Sequence, residues 1–214
     1  MKKLILTPLL IAVYCIALAG DPSYVNKMKE TLDNMSKCAN AADFKAVANQ
    51  FDRISQKESD EWLPQYYSAN IKILLVYLDS AADANQKDRY LDEAETIISD
   101  MEEMEPEEAE IQVLKAFMII SKIGVDPQTR GQSMYGSYEA TLAKANQLDP
   151  ENPRVKYMLL SKDVGQAQWF GQSIDPYCPK MKELYDSWDS YQPASEIHPV
   201  WGKDQLWQIM QACK

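Results

Sequence analysis

Residues 138–153 read Tyr-Glu-Ala-Thr-Leu-Ala-Lys-Ala-Asn-Gln-Leu-Asp-Pro-Glu-Asn-Pro. From Tyr138 to Leu148 the apolar residues recur every three or four positions, which is the spacing of one face of an α-helix. Asp149-Pro150 then ends the pattern, because proline cannot continue a helix. Asn152-Pro153 begins a new helix, since asparagine is a good N-cap and proline is tolerated at the first helical position. The stretch therefore predicts two consecutive helices joined by a tight turn.

The same pattern occurs 44 residues earlier in the chain. Superimposing residues 91–114 on 135–158 pairs Ile98 with Leu142 and Pro106 with Pro150, and other apolar positions also match. A helix–turn–helix unit cannot cover its own apolar face, so repeated units must stack. The sequence thus predicts a stack of helix pairs.

The rest of the chain shows helical spacing as well. Apolar stripes follow Phe44–Ile54, Trp62–Leu78, Tyr90–Met104, Ile111–Met118, Met181–Trp188 and Leu206–Met210. No segment alternates with period two between turn signals, so we expect an all-α protein without a sheet. Clustered glycines and prolines predict loops at Gly124–Gly136, Gly165–Pro179 and Tyr191–Gly202.

The run from Tyr138 to Pro153 resembles the second helix and exit turn of a tetratricopeptide repeat. Ala145 lies five residues before Pro150, where that repeat has a small residue, and Leu142 lies at its medium apolar position. Tyr138 and the spacing of 44, against roughly 34 in the standard repeat, depart from the pattern. The resemblance implies a short right-handed solenoid of tetratricopeptide-like antiparallel helix pairs, with elongated repeats and irregular C-terminal loops.

A wider resemblance is to exported tetratricopeptide-like proteins of Bacteroidetes bacteria. The phrases that carry it are Phe51-Asp-Arg-Ile54, Glu61-Trp-Leu-Pro-Gln-Tyr-Tyr67, Leu148-Asp-Pro-Glu-Asn-Pro-Arg154 and Ile197-His-Pro-Val-Trp-Gly202. The glycine-rich phrase usual in that family after Phe170 is reduced here to Gly171. The resemblance implies this fold and export, and it implies no particular chemistry.

The first residues have the pattern of a secretory signal peptide. Basic Met1-Lys2-Lys3 precedes the apolar stretch Leu4–Leu18, and Ala17-Leu18-Ala19 supplies the small residues of a cleavage site. The stretch is too short to span a bilayer, and Tyr14 before Cys15 argues against a lipoprotein. We therefore expect a signal peptide at residues 1–19, one helical domain at residues 20–214, and a periplasmic or secreted protein without an integral membrane segment after cleavage.

Charge and cysteine content restrict the partners. The chain carries 22 basic and 32 acidic residues, a net charge of −10, which argues against nucleic acid. In an oxidising compartment two of Cys38, Cys178 and Cys213 can pair. An antiparallel hairpin of the last two helical segments would join Cys178 to Cys213, which leaves Cys38 as a small buried apolar residue; other pairings remain open. No cysteine–histidine spacing predicts a metal site.

No catalytic set is visible. The single histidine, His198, lies in a proline-containing loop, which removes the common nucleophilic triads. The acids between Asp100 and Glu110 straddle the ends of two helices and are better explained as solvated faces than as a calcium loop. We expect no enzyme activity, no catalytic or metal-binding residues and no cofactor.

The repeat alignment places Tyr67, Asn70 and Lys115 in the groove that first helices of such arrays line. We therefore expect a periplasmic binding or scaffold module that presents this groove to a protein or peptide partner. The alternative is an envelope binder or hydrolase of a small ligand such as a saccharide, using scattered acids and aromatic residues. A purely structural envelope component is a third possibility.

Overall fold

The computed structural model describes residues 22–213, and the predicted signal peptide lies outside this range. Within it the chain forms nine α-helices. They are α1 (Pro22–Ser36), α2 (Ala41–Lys57), α3 (Trp62–Leu78), α4 (Ala84–Met104), α5 (Ala109–Val125), α6 (Pro127–Leu148), α7 (Pro153–Trp169), α8 (Cys178–Ser187) and α9 (Lys203–Met210). Residues 22–213 contain no strand, so the all-α prediction is confirmed. No helix among these residues is long and apolar enough to cross a membrane.

Successive helices pack antiparallel. Glu102 of α4 accepts a 2.8 Å hydrogen bond from Gln112 near the start of α5. Lys122, near the end of α5, instead pairs with Asp92 in the first half of α4 at 2.9 Å. The end of α4 thus contacts the start of α5, and the first half of α4 contacts the end of α5, so the two helices are antiparallel. A short turn between consecutive helices produces this arrangement.

Helix α5 also contacts both α3 and α7, so that α3, α5 and α7 form one layer. These three helices run parallel. Tyr77 bonds to Ser121 at 2.9 Å near their C-terminal ends, and Glu110 bonds to Arg154 at their N-terminal ends. Both contacts join residues 44 positions apart, which is the spacing of the sequence repeat. We call the surface formed by this layer, away from α4 and α6, the inner face.

A buried ion pair joins α5 to α7. The Arg154 guanidinium donates from Nε to both carboxylate oxygens of Glu110 at 2.8 Å and from Nη2 to one of them. Asn152 donates a further hydrogen bond of 2.5 Å to the same carboxylate. Glu110 and Arg154 are 3 % and 2 % exposed. Burial disfavours the charged guanidinium, but the hydrogen bonds and charge of Glu110 outweigh this and raise the pKa of Arg154.

Two of the predicted loops are wrong in part. Residues 124–136 are helical apart from Asp126, which separates α5 from α6. The Asp126 side chain accepts a hydrogen bond from the Thr129 amide, and Pro127 takes the first helical position, so this dipeptide begins a helix. Likewise α7 continues through Gly165 to Trp169, and α8 includes Pro179 in its first turn. The third predicted loop, 191–202, contains no α-helix.

The C-terminal helices form a smaller unit with a core of its own. Six residues are buried there, namely Val164, Ile174, Met181, Leu184, Trp188 and Leu206. Cys178, at the start of α8, forms a disulfide with Cys213 just after α9. The prediction that Cys38 is buried is wrong in part. Cys38 follows α1, is partly exposed and donates from its thiol to the Asn34 carbonyl.

The buried ion pair yields a prediction on stability. Replacing Arg154 by methionine keeps an unbranched apolar stem but leaves the Glu110 carboxylate buried without its cation. Breaking such a pair costs about 3–5 kcal/mol, to be measured by urea unfolding followed by circular dichroism.

The matched control is Lys37→Met. Lys37 pairs with Asp33 at 2.5 Å, but both side chains are more than half exposed. The free energy of unfolding of this variant should therefore fall by no more than about 1 kcal/mol. Similar losses for the two variants would contradict the central role of the buried pair.

Candidate ligand-binding site

The segment between α8 and α9 crosses the inner face of the layer. We call residues 191–202 the strap. Glu196 forms an ion pair with Lys29 of α1 at 3.0 Å. The neighbouring Ile197 is buried, and its carbonyl accepts a 2.9 Å hydrogen bond from the Tyr67 hydroxyl of α3. The strap thus reaches α1 and α3, which lie far from it in the sequence.

The end of the strap is fixed by Trp201 and Gly202. The Trp201 indole donates to the hydroxyl of Tyr66, which is fully buried, at 2.8 Å. Gly202 has a φ of +114°, a conformation that favours glycine. A Cβ at this position would lie 2.7 Å from the Trp188 ring and 3.6 Å from Cγ of Arg154. The strap therefore ends against the buried ion pair.

The structure buries two of the three residues that the repeat alignment assigns to a partner groove. Tyr67 and Asn70 are 5 % and 4 % exposed. Tyr67 lies under Ile197 of the strap, so the strap itself occupies this part of the inner face. Lys115 is partly exposed and paired with Glu102 at 2.6 Å. The groove at these residues stays a prediction.

Beside the strap, four aromatic side chains remain accessible on the inner face. Tyr77 is 59 % exposed, and Phe117, Tyr157 and Trp201 are partly exposed. The rings of Tyr77 and Phe117 are parallel within 2°, with centroids 6.1 Å apart. Trp201 lies 5.9 Å from Phe117 and 6.3 Å from Tyr157. These four residues, from α3, α5, α7 and the strap, are called the aromatic site.

A cavity of about 320 Å³ adjoins the aromatic site at Tyr77. Its other lining residues are Val76, Ala84, Lys87, Ser121, Gly124 and Val125. The lining contains one cation, Lys87, and no carboxylate. Among the described residues no acidic group forms an ion pair with Lys87, in contrast to Lys122 nearby on α5. Lys87 is therefore available to a negatively charged group of a ligand.

The chemistry of the site is that of a binding surface. Burial of its hydroxyl raises the pKa of Tyr77, although the Ser121 hydrogen bond acts in the opposite direction. The side chain is therefore a neutral phenol near pH 7. Within residues 22–213 no three histidine, cysteine or acidic side chains are grouped to hold a metal ion. The arrangement offers flat aromatic surface and one nearby positive charge.

His198 belongs to the strap; it is partly exposed, and its ring packs against α3. Its Nδ1 is 2.6 Å from the Ser195 hydroxyl, and its ring meets Trp62 edge-to-face at 5.7 Å. Burial lowers the pKa of His198; the charge of Glu110 acts against this effect and that of Arg154 adds to it. The contacts show a packing role, as expected from its place in the loop.

Sequence reasoning found the loop of the strap but not its role. Tyr66, Tyr67 and Tyr77 all lie within the predicted apolar stripe Trp62–Leu78, which is helix α3. Tyr66 and Tyr67 are indeed buried, whereas Tyr77 is exposed. Extending the 44-residue offset back to α3 would have aligned Tyr66 with Glu110 and Arg154, and this signal was present in the sequence.

Comparison with known proteins supports the fold. No family profile matches the chain, and no curated protein matches it. Among solved structures, the HusA haemophore from Porphyromonas gingivalis matches with a TM-score of 0.75 and 24 % identity. The match covers 89 % of this chain and 92 % of the haemophore. The chain thus shares an all-helical fold with a protein of a Bacteroidetes bacterium.

The end of the strap gives a second stability prediction. Gly202→Ala places a Cβ against Trp188 in a backbone conformation unfavourable for alanine, so we expect a loss of about 1–3 kcal/mol in urea unfolding. Gly131→Ala is the control, because a Cβ there meets nothing within 4 Å and lies inside α6. It should be neutral or stabilising by up to about 1 kcal/mol. An equal effect of both changes would contradict the close packing at Gly202.

His198 gives a prediction on pH. Its pKa in the folded chain lies below the ordinary value of 6.5, so the unfolded chain takes up the proton first as the pH falls. His198 therefore contributes to stability above pH 6.5, and this contribution is lost progressively below it. In urea unfolding between pH 7.5 and 5, the stability difference between the wild type and His198→Gln should shrink with decreasing pH. A difference independent of pH would contradict the burial of the neutral ring.

Proposed function

We propose that this protein is an exported binding module for a planar aromatic ligand of the porphyrin class, with haem as the cargo, and that the ligand binds at the aromatic site. The observation that carries the proposal is the accessible set of Tyr77, Phe117, Tyr157 and Trp201 on the inner face. The match to a haemophore supports the same ligand class, since that protein's name states haem transport.

A porphyrin needs a flat apolar surface for its ring and a polar, preferably cationic, neighbour for its propionates. The parallel rings of Tyr77 and Phe117 supply such a surface, because aromatic faces attract one another when offset-stacked. Lys87 in the adjoining cavity supplies the cation. Exposed clusters of large aromatic side chains are uncommon on soluble proteins and mark binding sites.

The described residues favour ring stacking over coordination of the iron. His198 is bonded to Ser195 within the strap and packs against Trp62 of α3, and Tyr77 is a neutral phenol already bonded to Ser121. Neither side chain is set up as an iron ligand. We therefore expect metal-free protoporphyrin IX to bind about as tightly as haem.

A second candidate is the groove for a protein or peptide that the repeat alignment predicts. One observation favours it: the inner face already holds an irregular polypeptide segment, with the Tyr67 hydroxyl bonded to the strap carbonyl of Ile197. A partner segment would have to displace the strap. Both candidates assume a tetratricopeptide-like solenoid and export of the chain. The contacts of α5 with α3 and α7 support the solenoid.

The proposal is tested by titrating the mature chain with haemin and with protoporphyrin IX, following the Soret absorbance and the quenching of tryptophan fluorescence. Tyr77→Ala combined with Phe117→Ala should weaken binding of both ligands about tenfold, because each aromatic contact contributes about 0.5–1.5 kcal/mol. Lys87→Ala should weaken it by a smaller factor.

The control is Trp207→Ala. Trp207 is also exposed and lies 5.3 Å from Tyr185, but it belongs to α9 rather than to the aromatic site. This variant should bind as the wild type does. Absence of saturable binding by the wild type, or an equal loss in the control, would reject the porphyrin site.

A further inference from the structure

The strap is built into a covalently closed part of the chain. It leaves α8 and returns into α9, and the disulfide between Cys178 and Cys213 joins the far ends of these two helices. The closed loop spans 35 residues. The strap is the part of this loop that reaches over the inner face, while α8 and α9 share the small C-terminal core.

One wall of the aromatic site therefore comes from the closed loop. Tyr77, Phe117 and Tyr157 lie on α3, α5 and α7, and Phe117 and Tyr157 pack against the main core. Trp201 lies on the strap and completes the site only when the strap is docked, because its indole is oriented by the bond to Tyr66. A ligand that contacts all four rings would bind only the docked form.

The disulfide restricts how far the strap can depart from the inner face. Closing a loop of this length removes conformational freedom from the undocked chain, which favours docking. Without the bond, α9 would be held by a core of six buried residues and by local hydrogen bonds. Small units of this kind open locally at a lower cost than the main core.

We propose that the Cys178–Cys213 disulfide sets the ligand affinity of the aromatic site by keeping the strap and Trp201 docked. This rests on the proposed function. In a reducing compartment both sulfurs are thiols, the strap is free to open, and the site lacks one wall. The chain gains binding competence after export, when a disulfide oxidant removes two electrons and two protons from the two thiols by thiol–disulfide exchange.

The Cys178–Cys213 disulfide is accessible to thiol oxidants and reductants. Cys178 and Cys213 are both partly exposed, whereas the anchors of the strap, Tyr66 and Ile197, are buried. A dithiol reductant can therefore open the bond, its own two thiols becoming a disulfide, without prior unfolding of α1–α7. The Cys178–Cys213 disulfide can therefore be reduced while the main core stays folded.

The test compares the wild type with the double variant Cys178→Ser, Cys213→Ser, using protoporphyrin IX as the ligand. Metal-free porphyrin avoids reactions of iron with thiols. We expect the variant to bind at least about tenfold more weakly and its strap amides, including that of His198, to exchange hydrogen faster. Amides of α3 and α5 should keep their protection. Treating the wild type with dithiothreitol should reproduce both effects, and Cys38→Ser should show neither.

A second variant covers the case in which loss of the disulfide also loosens α3 and α5. Tyr66→Phe removes only the hydroxyl that orients Trp201, and it should lower affinity several-fold with an unchanged helical spectrum. Unchanged affinity in this variant, or in the double serine variant despite faster strap exchange, overturns the inference. If the wild type binds no porphyrin, the proposed function fails; if the wild type binds and both variants bind equally well, only the present inference fails.

Discussion

The buried ion pair between Glu110 and Arg154 is the constraint on which the inner face depends. Two charges removed from water must be fully hydrogen-bonded, or burial costs several kcal/mol. Asn152 and three bonds from the guanidinium meet that requirement. The pair fixes the distance and rotation of α5 relative to α7 at their N-terminal ends. It also lies beside the end of the strap, since a Cβ at Gly202 would be 3.6 Å from Cγ of Arg154.

The repeat explains how one position in successive helices acquires three roles. Tyr66, Glu110 and Arg154 are 44 residues apart and occupy equivalent sites on α3, α5 and α7. Equivalent sites on parallel neighbouring helices face one another, so substitutions there are coupled by contact. Here the first supplies a hydroxyl for Trp201 and the other two supply opposite charges. This repeat position thus serves as a polar anchor for the C-terminal unit.

The helices could be predicted from the sequence because their information is local. Apolar spacing and caps such as Asn152-Pro153 lie within one or two turns of the helix that they specify. The prediction of a loop at Gly124–Gly136 is wrong because it takes Asp126-Pro127, together with the glycines, as a loop signal, whereas a cap and a first-turn proline mark where a helix begins. The docking of the strap could not be predicted, because Tyr66 and Trp201 are 135 residues apart and no periodic pattern connects them. The aromatic site was missed for the same reason.

The charge of the protein limits which ligands this surface can hold. At a net charge of −10 the long-range field repels anions, although at physiological salt this repulsion is screened beyond about 8 Å. Binding must then come from contacts made inside that distance, and most of the accessible contact area is aromatic. A porphyrin has two carboxylates on a ring large enough to cover several side chains, so stacking can outweigh repulsion with Lys87 as the single local cation.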